Sequence, residues 1–213
     1  PEDIYFDNKN TFALTLTDKD QKFDEFVNNN EPWNNFVNQI KSRDFIDDLI
    51  SIYKLKFVYS SENDLRRFIP FFKKVKLELT FNKSKKGSFS DPHTDVTRKI
   101  LSFVLFFTPD EWHKNDGGIV KLFKPKSLVD EDNWRNNIIP ESKLNLIDIV
   151  FPSSNTIYGF KKSKNSYHSV SLVNCKDKSR NVFMINLSYS NKKDIPHTNE
   201  GFLKKLKRKI FSN

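Results

Sequence analysis

The segment Pro92-His93-Thr94-Asp95 places an imidazole and a carboxylate two residues apart. On an extended strand, residues i and i+2 leave the same face, so both side chains could reach one metal ion. A third donor, His168 in Ser166-Tyr167-His168-Ser169-Val170, completes a set of two imidazoles and one carboxylate. Such a set occupies one face of a divalent iron and leaves coordination positions open to small molecules. Arg180, twelve residues further on, carries a permanent charge and a planar fork of donors, which suits the carboxylate of an organic acid.

The pair His-x-Asp is common in loops and on surfaces, so the elements around it decide its meaning. Lys76-Leu77-Glu78-Leu79-Thr80-Phe81 alternates as a strand and leads through the basic loop Lys83-Ser84-Lys85-Lys86-Gly87 to the motif. Further strands are predicted at about 101–107, 118–123, 146–151, 155–160, 167–173 and 181–189, with turn signals between them. In the His168 strand, His168, Val170 and Leu172 alternate with Tyr167, Ser169 and Ser171. The polar stretch Asn174 to Ser179 then supplies a turn, so Arg180 stands near the turn end of its strand, displaced from the metal by a gap a short dicarboxylic acid can bridge. His113, in a polar turn, and His197, in a Pro-containing tail, have no strand to aim them inward.

Upstream, Thr11 to Leu16 alternates and could supply an edge strand. Pro32 begins a helical pattern of Trp33, Phe36, Val37 and Ile40, and Ser42 or Asp44 can cap a second helix carrying Phe45, Ile46, Leu49, Ile50 and Tyr53. A helical layer of this kind covers one face of a β-core. Many short strands imply a double-sheet sandwich of the jelly-roll kind. Residues 124–145 form a long polar connection containing Trp134, a candidate substrate lid.

Taken in order, the strand before the motif, Pro92-His93-Thr94-Asp95, Arg98, the run Leu101 to Phe107, Gly117-Gly118, the strand ending in Phe160 and the His168…Arg180 pair resemble the 2-oxoglutarate/Fe(II) dioxygenase superfamily, in particular its prolyl-4-hydroxylase-like branch. The resemblance covers about residues 76–190. It implies a mainly β fold, a double-stranded β-helix or jelly roll with supporting N-terminal helices. It also implies Fe(II) held by His93, Asp95 and His168, 2-oxoglutarate as co-substrate anchored by Arg180, O2 as oxidant, and ascorbate as a candidate reductant. Hydroxylation of a substrate would be coupled to decarboxylation of 2-oxoglutarate to succinate and CO2. Ser102, Val104 and Phe106 are expected to face the pocket. The family often has a hydroxyl-bearing aromatic where Phe106 falls; Ser102 could partly replace that hydrogen bond.

The substrate stays open between a peptidyl residue, a proline-like group and a small metabolite or sugar. One alternative is a non-catalytic jelly-roll binding module, which would predict a broken triad or a missing anchor. Another is a nucleic-acid-modifying oxygenase, favoured by a net charge of +9. Nucleic-acid demethylases of the superfamily carry a second arginine where this chain has Asn186, which argues against nucleic acid as partner. Val182 likewise replaces a frequent serine. Base handling would also need exposed stacking aromatics, for which Trp112 and Trp134 are the candidates. Halogenases of the superfamily typically lack the carboxylate that Asp95 supplies.

The 213 residues, with 21 Phe, suffice for one domain with an aromatic core. It is expected to divide into a helical support region 1–75, a catalytic core 76–190 and a basic tail 191–213. That tail, Gly201 to Phe211, reads as a short amphipathic helix that could make weak peripheral contact with an anionic membrane surface. A single cysteine, Cys175, and the lack of a secretory signal or an apolar span lead to the expectation of a reducing, cytoplasmic setting.

Overall fold

The computed structural model describes residues 13–55, 58–59, 74–127 and 138–190. Strand β1 (Ala13–Thr17) precedes helices α1 (Gln21–Asn28), α2 (Glu31–Lys41) and α3 (Arg43–Ile52). The remaining strands are β2 (Val58–Tyr59), β3 (Lys74–Ser84), β4 (Ser90–His93), β5 (Lys99–Phe106), β6 (Val120–Pro125), β7 (Leu144–Val150), β8 (Thr156–Lys161), β9 (Tyr167–Val170) and β10 (Arg180–Tyr189). They form two sheets. The larger runs β1-β3-β10-β5-β8, with β2 lying parallel beside β3, and the smaller runs β4-β9-β6-β7. Neighbours in space are far apart in sequence, as expected of a jelly roll.

Period-two patterning explains how the larger sheet divides its labour. Along β10, Phe183, Ile185 and Leu187 face outward, and Arg180, Val182, Met184 and Asn186 face the smaller sheet. The outward face packs with Leu79 and Phe81 of β3 against Phe23, Val27, Val37 and Ile40 of the helices. Trp33 of α2 stands among these rings, with centroids 4.7 Å from Phe81, 5.4 Å from Phe183 and 5.5 Å from Phe107. The phenylalanine-rich composition therefore builds a helix-covered outer core, leaving the inner face for chemistry.

The second and third helices begin where the sequence indicates. Pro32 lies in the first turn of α2, and the Ser42 side chain accepts the Phe45 N–H at 3.3 Å to cap α3. Helix α1 is an addition: its eight residues bury only Phe23 and Val27, too few repeats to mark a period. The connection expected over 124–145 is shorter than anticipated. Strand β6 extends through Pro125 and β7 begins at Leu144, because Lys124 and Pro125 pair with Asn145 and Leu144. Strand β9 stops at Val170, short of the expected 173, since Ser171 turns to accept the Ile119 N–H on its hydroxyl. Trp134, His197 and the basic tail lie outside the described residues.

Candidate metal centre

Strand β4 is an edge strand containing Pro92, whose missing N–H is tolerated at an edge. Its register against β9 shifts between Ser90 and His93, so an irregularity at the proline aims the next residue. His93 consequently falls directly opposite His168, with ring centroids 4.5 Å apart. Asp95 differs from expectation. The strand ends at His93, and Asp95 lies in the link to β5 rather than two residues along the same strand. It reaches the histidines all the same: ligand atoms of His93, Asp95 and His168 all lie within 4.8 Å of one another.

Each histidine is oriented through its Nδ1. His93 Nδ1 lies 2.8 Å from the Asp91 carbonyl, and His168 Nδ1 lies 3.3 Å from the Ser166 carbonyl. A carbonyl only accepts, so Nδ1 carries the proton and Nε2 keeps its lone pair for a metal. Burial pushes His168 down to about 4, outweighing the attraction of Asp95, so the ring is neutral at physiological pH. For Asp95 burial acts to raise the pKa, but Lys99 and His168 and hydrogen bonds from Lys99 and Ser102 hold it below the usual value. The Asp95 carboxylate receives Lys99 Nζ at 3.1 Å on Oδ1 and the Ser102 hydroxyl at 3.0 Å on Oδ2. Two imidazoles and one carboxylate thus converge, which fits a divalent metal of the iron type.

The three groups open onto a cavity of about 290 Å³. Its inner walls include Val104, Tyr158, Val170, Val182 and Met184, and at its far end lies Arg180. Arg180 is 5% exposed, its Nε has no hydrogen-bond partner, and its guanidinium lies 5.0 Å above the Phe106 ring. Burial pushes it down to about 10, which still leaves it charged. A buried cation in the wall of a cavity, with no carboxylate among the described residues paired to it, is a site for an anion. Gly118 makes the space for it: it adopts positive φ, and a Cβ there would come within 2.6 Å of Arg180 Cδ, whereas one on Gly117 would strike the Leu172 carbonyl instead.

All the expected site residues occur on the inner side of the sandwich, but two act differently from expectation. Phe106 is fully buried and supports the guanidinium rather than lining the cavity. The Ser102 hydroxyl is engaged with Asp95 and Asn186, so it does not replace the missing aromatic hydroxyl. Tyr158 of β8, which the sequence reading passed over, brings an aromatic hydroxyl to the cavity wall. It stacks on Phe106 with centroids 5.7 Å apart, and burial pushes its phenol up to about 12 against the pull of Arg180, so it remains a donor. Period two along Thr156, Tyr158 and Phe160 carried this signal. Lys99 was also missed, although it stands four residues after Asp95. Arg98 pairs with Glu78 outside the cavity, and His113 caps a short turn at Lys114–Asp116. Trp112 is 4% exposed and donates its Nε1–H to Gly117 O, so it offers no surface for a base to stack on.

A family model for the 2OG-Fe(II) oxygenase superfamily matches residues 79–184, the stretch that carries His93, Asp95, Tyr158, His168 and Arg180. No curated protein matches the chain. Among solved structures, a prolyl 4-hydroxylase from Phytophthora capsici has the same fold, with a TM-score of 0.55 and 17% identity over 92% of this chain and 58% of that one. This chain therefore spans less than two thirds of that protein's length. A Pseudomonas putida prolyl-4-hydroxylase gives a TM-score of 0.38 at 17% identity, over 54% of this chain and 52% of that one. A 2OG-Fe(II) oxygenase-family oxidoreductase from Burkholderia pseudomallei gives 0.36 at 18% identity, over 59% and 53%.

Proposed function

This chain belongs to the 2OG-Fe(II) oxygenase superfamily, and we propose that it is an Fe(II)- and 2-oxoglutarate-dependent hydroxylase. Its substrate would be a peptidyl residue, a proline-like group or a small metabolite or sugar. The observation that carries this reading is the buried Arg180, with no carboxylate partner among the described residues and no acceptor for its Nε, lining the cavity that also holds His93, Asp95 and His168. A cation there and three metal donors opposite suit a molecule with a chelating end and a distal carboxylate, which describes 2-oxoglutarate.

In this reading the Nε2 atoms of His93 and His168 and one Asp95 oxygen would hold Fe(II). Bound iron and 2-oxoglutarate would supply the oxidative chemistry, in which one atom of O2 enters succinate as CO2 is lost and the other enters a C–H bond of the substrate. Arg180 would take the distal carboxylate, with the Tyr158 phenol donating beside it. Phe106 orients the guanidinium, and Val104, Val182 and Met184 exclude water, which strengthens the ionic contact. Residues 1–75 would serve as the support layer of the same domain, and 76–190 as its catalytic core.

The test is Fe(II)-dependent succinate release from 2-oxoglutarate in air, comparing wild type with His168→Ala. Turnover that the variant loses is the expected result. Wild-type protein showing neither turnover nor metal-dependent binding of 2-oxoglutarate by anaerobic calorimetry would overturn the reading.

A further inference from the structure

Of the three metal-site side chains, Asp95 is the least constrained by its own backbone. His93 and His168 face each other across β4 and β9, whereas Asp95 lies between strands. What orients its carboxylate comes from the opposite sheet. Ser102 Oγ is 3.0 Å from Asp95 Oδ2 and 2.9 Å from the Asn186 side-chain amide. Ser102 and Asn186 are direct cross-strand partners on β5 and β10, and they are 4% and 5% exposed. Strand β10 is itself paired on both sides, by β3 and β5, so this anchor sits on the central strand of the larger sheet.

The proton count gives the chain a direction. Ser102 has one hydroxyl proton, and the ionised carboxylate makes the stronger acceptor. The Ser102 oxygen is then left to accept, and the Asn186 amide meets it through its NH2 in the orientation that a flip of the amide provides. Both residues stand on an inner face whose neighbours Val104, Val182 and Met184 are apolar. Burying two polar groups there is unfavourable unless they are paired with each other and with something useful.

We infer that Asn186 and Ser102 are positioning residues for the metal: Asn186 orients Ser102, and Ser102 holds Asp95 in the rotamer that converges on the two histidines. This rests on the metal-site reading above. An outer partner of a ligating group typically contributes 10–100-fold to metal affinity, because the ligand is ordered before the ion arrives.

The experiment is Co(II) titration followed by visible absorbance, on wild type, Asp95→Ala, Ser102→Ala, Ser102→Thr and Asn186→Leu. Asn186→Leu keeps the side-chain volume and removes the amide, and Ser102→Thr keeps the hydroxyl. The expected result is Co(II) affinity roughly 10–100-fold weaker in Ser102→Ala and Asn186→Leu, with Ser102→Thr near wild type. A merely structural hydrogen bond across the sheet would lower the melting temperature of the metal-free protein and leave Co(II) affinity intact. If Asp95→Ala loses Co(II) while folded Asn186→Leu, verified by near-UV circular dichroism, binds within about twofold of wild type, the positioning role is overturned and the metal site stands. If wild type itself binds no Co(II), the metal reading fails and the inference fails with it.

Discussion

Arg180 is an unusual residue for a protein to keep on stability grounds. Its guanidinium is buried against Phe106, and its Nε meets no acceptor. Removing an uncompensated buried cation relieves a desolvation penalty, so a volume-preserving Arg180→Met is expected to leave the melting temperature unchanged or higher. The same change would strip the distal carboxylate of 2-oxoglutarate of its counter-ion, weakening its binding by at least about 30-fold. Tyr158→Phe keeps the ring stacked on Phe106 and removes only one neutral donor to a charged group, so its effect on 2-oxoglutarate affinity is expected to be about tenfold. Calorimetry with metal present, paired with melting curves, checks both. An Arg180→Met protein that melts well below wild type would mean that the guanidinium is structural. The sequence exposed Arg180 through its place after the turn. It did not expose the unpaired Nε, because whether a buried donor finds a partner depends on every strand around it.

Among the elements, the strands were the most legible and their junctions the least. Alternation placed Ser102, Val104 and Phe106 on the inner face of β5 correctly, since one register error would have reversed all three. Asp95 was misplaced onto a strand because i, i+2 spacing cannot reveal that pairing ends at His93. Asn186 entered the sequence reading only as a missing arginine; its bond to Ser102 needs the register of β10 against β5 to be known. The same registers create a second polar cluster next to Asn186, whose cross-strand partner on β3 is Glu78. Glu78 of β3 receives Ser188 of β10, Lys76 and Arg98, the last two at 2.9 Å and 2.5 Å. Burial opposes its charge, but those hydrogen bonds win and hold the carboxyl at about 2 against an ordinary 4.5. The unfolded chain therefore takes up a proton that the folded one refuses between those values. The cluster's stabilisation is complete above about 4.5 and is lost as pH falls towards 2. Urea midpoints should show Glu78→Gln well below wild type at pH 7, with the gap narrowing by pH 3. Parallel pH profiles for the two proteins would remove Glu78 from the acid limb.

For the whole molecule, the site joins two sheets that otherwise meet through side-chain packing. The histidines belong to the smaller sheet, Arg180 and Ser102 to the larger, and Asp95 to the link between β4 and β5. A ligand spanning from the metal to Arg180 therefore bridges the sandwich, and its binding free energy adds to the stability of both layers. Binding to the folded state alone at a hundredfold excess over Kd contributes about 2.7 kcal/mol. For a chain of this length that corresponds to a rise in melting temperature of roughly 5–10 °C. Mn(II) should give a first increment, and 2-oxoglutarate a second that appears only with the metal present, because its chelating end would otherwise have nothing to bind. In Arg180→Met the first increment should survive and the second should shrink sharply. An equal 2-oxoglutarate increment with and without Mn(II) would place the acid at Arg180 alone and separate the anion site from the metal centre.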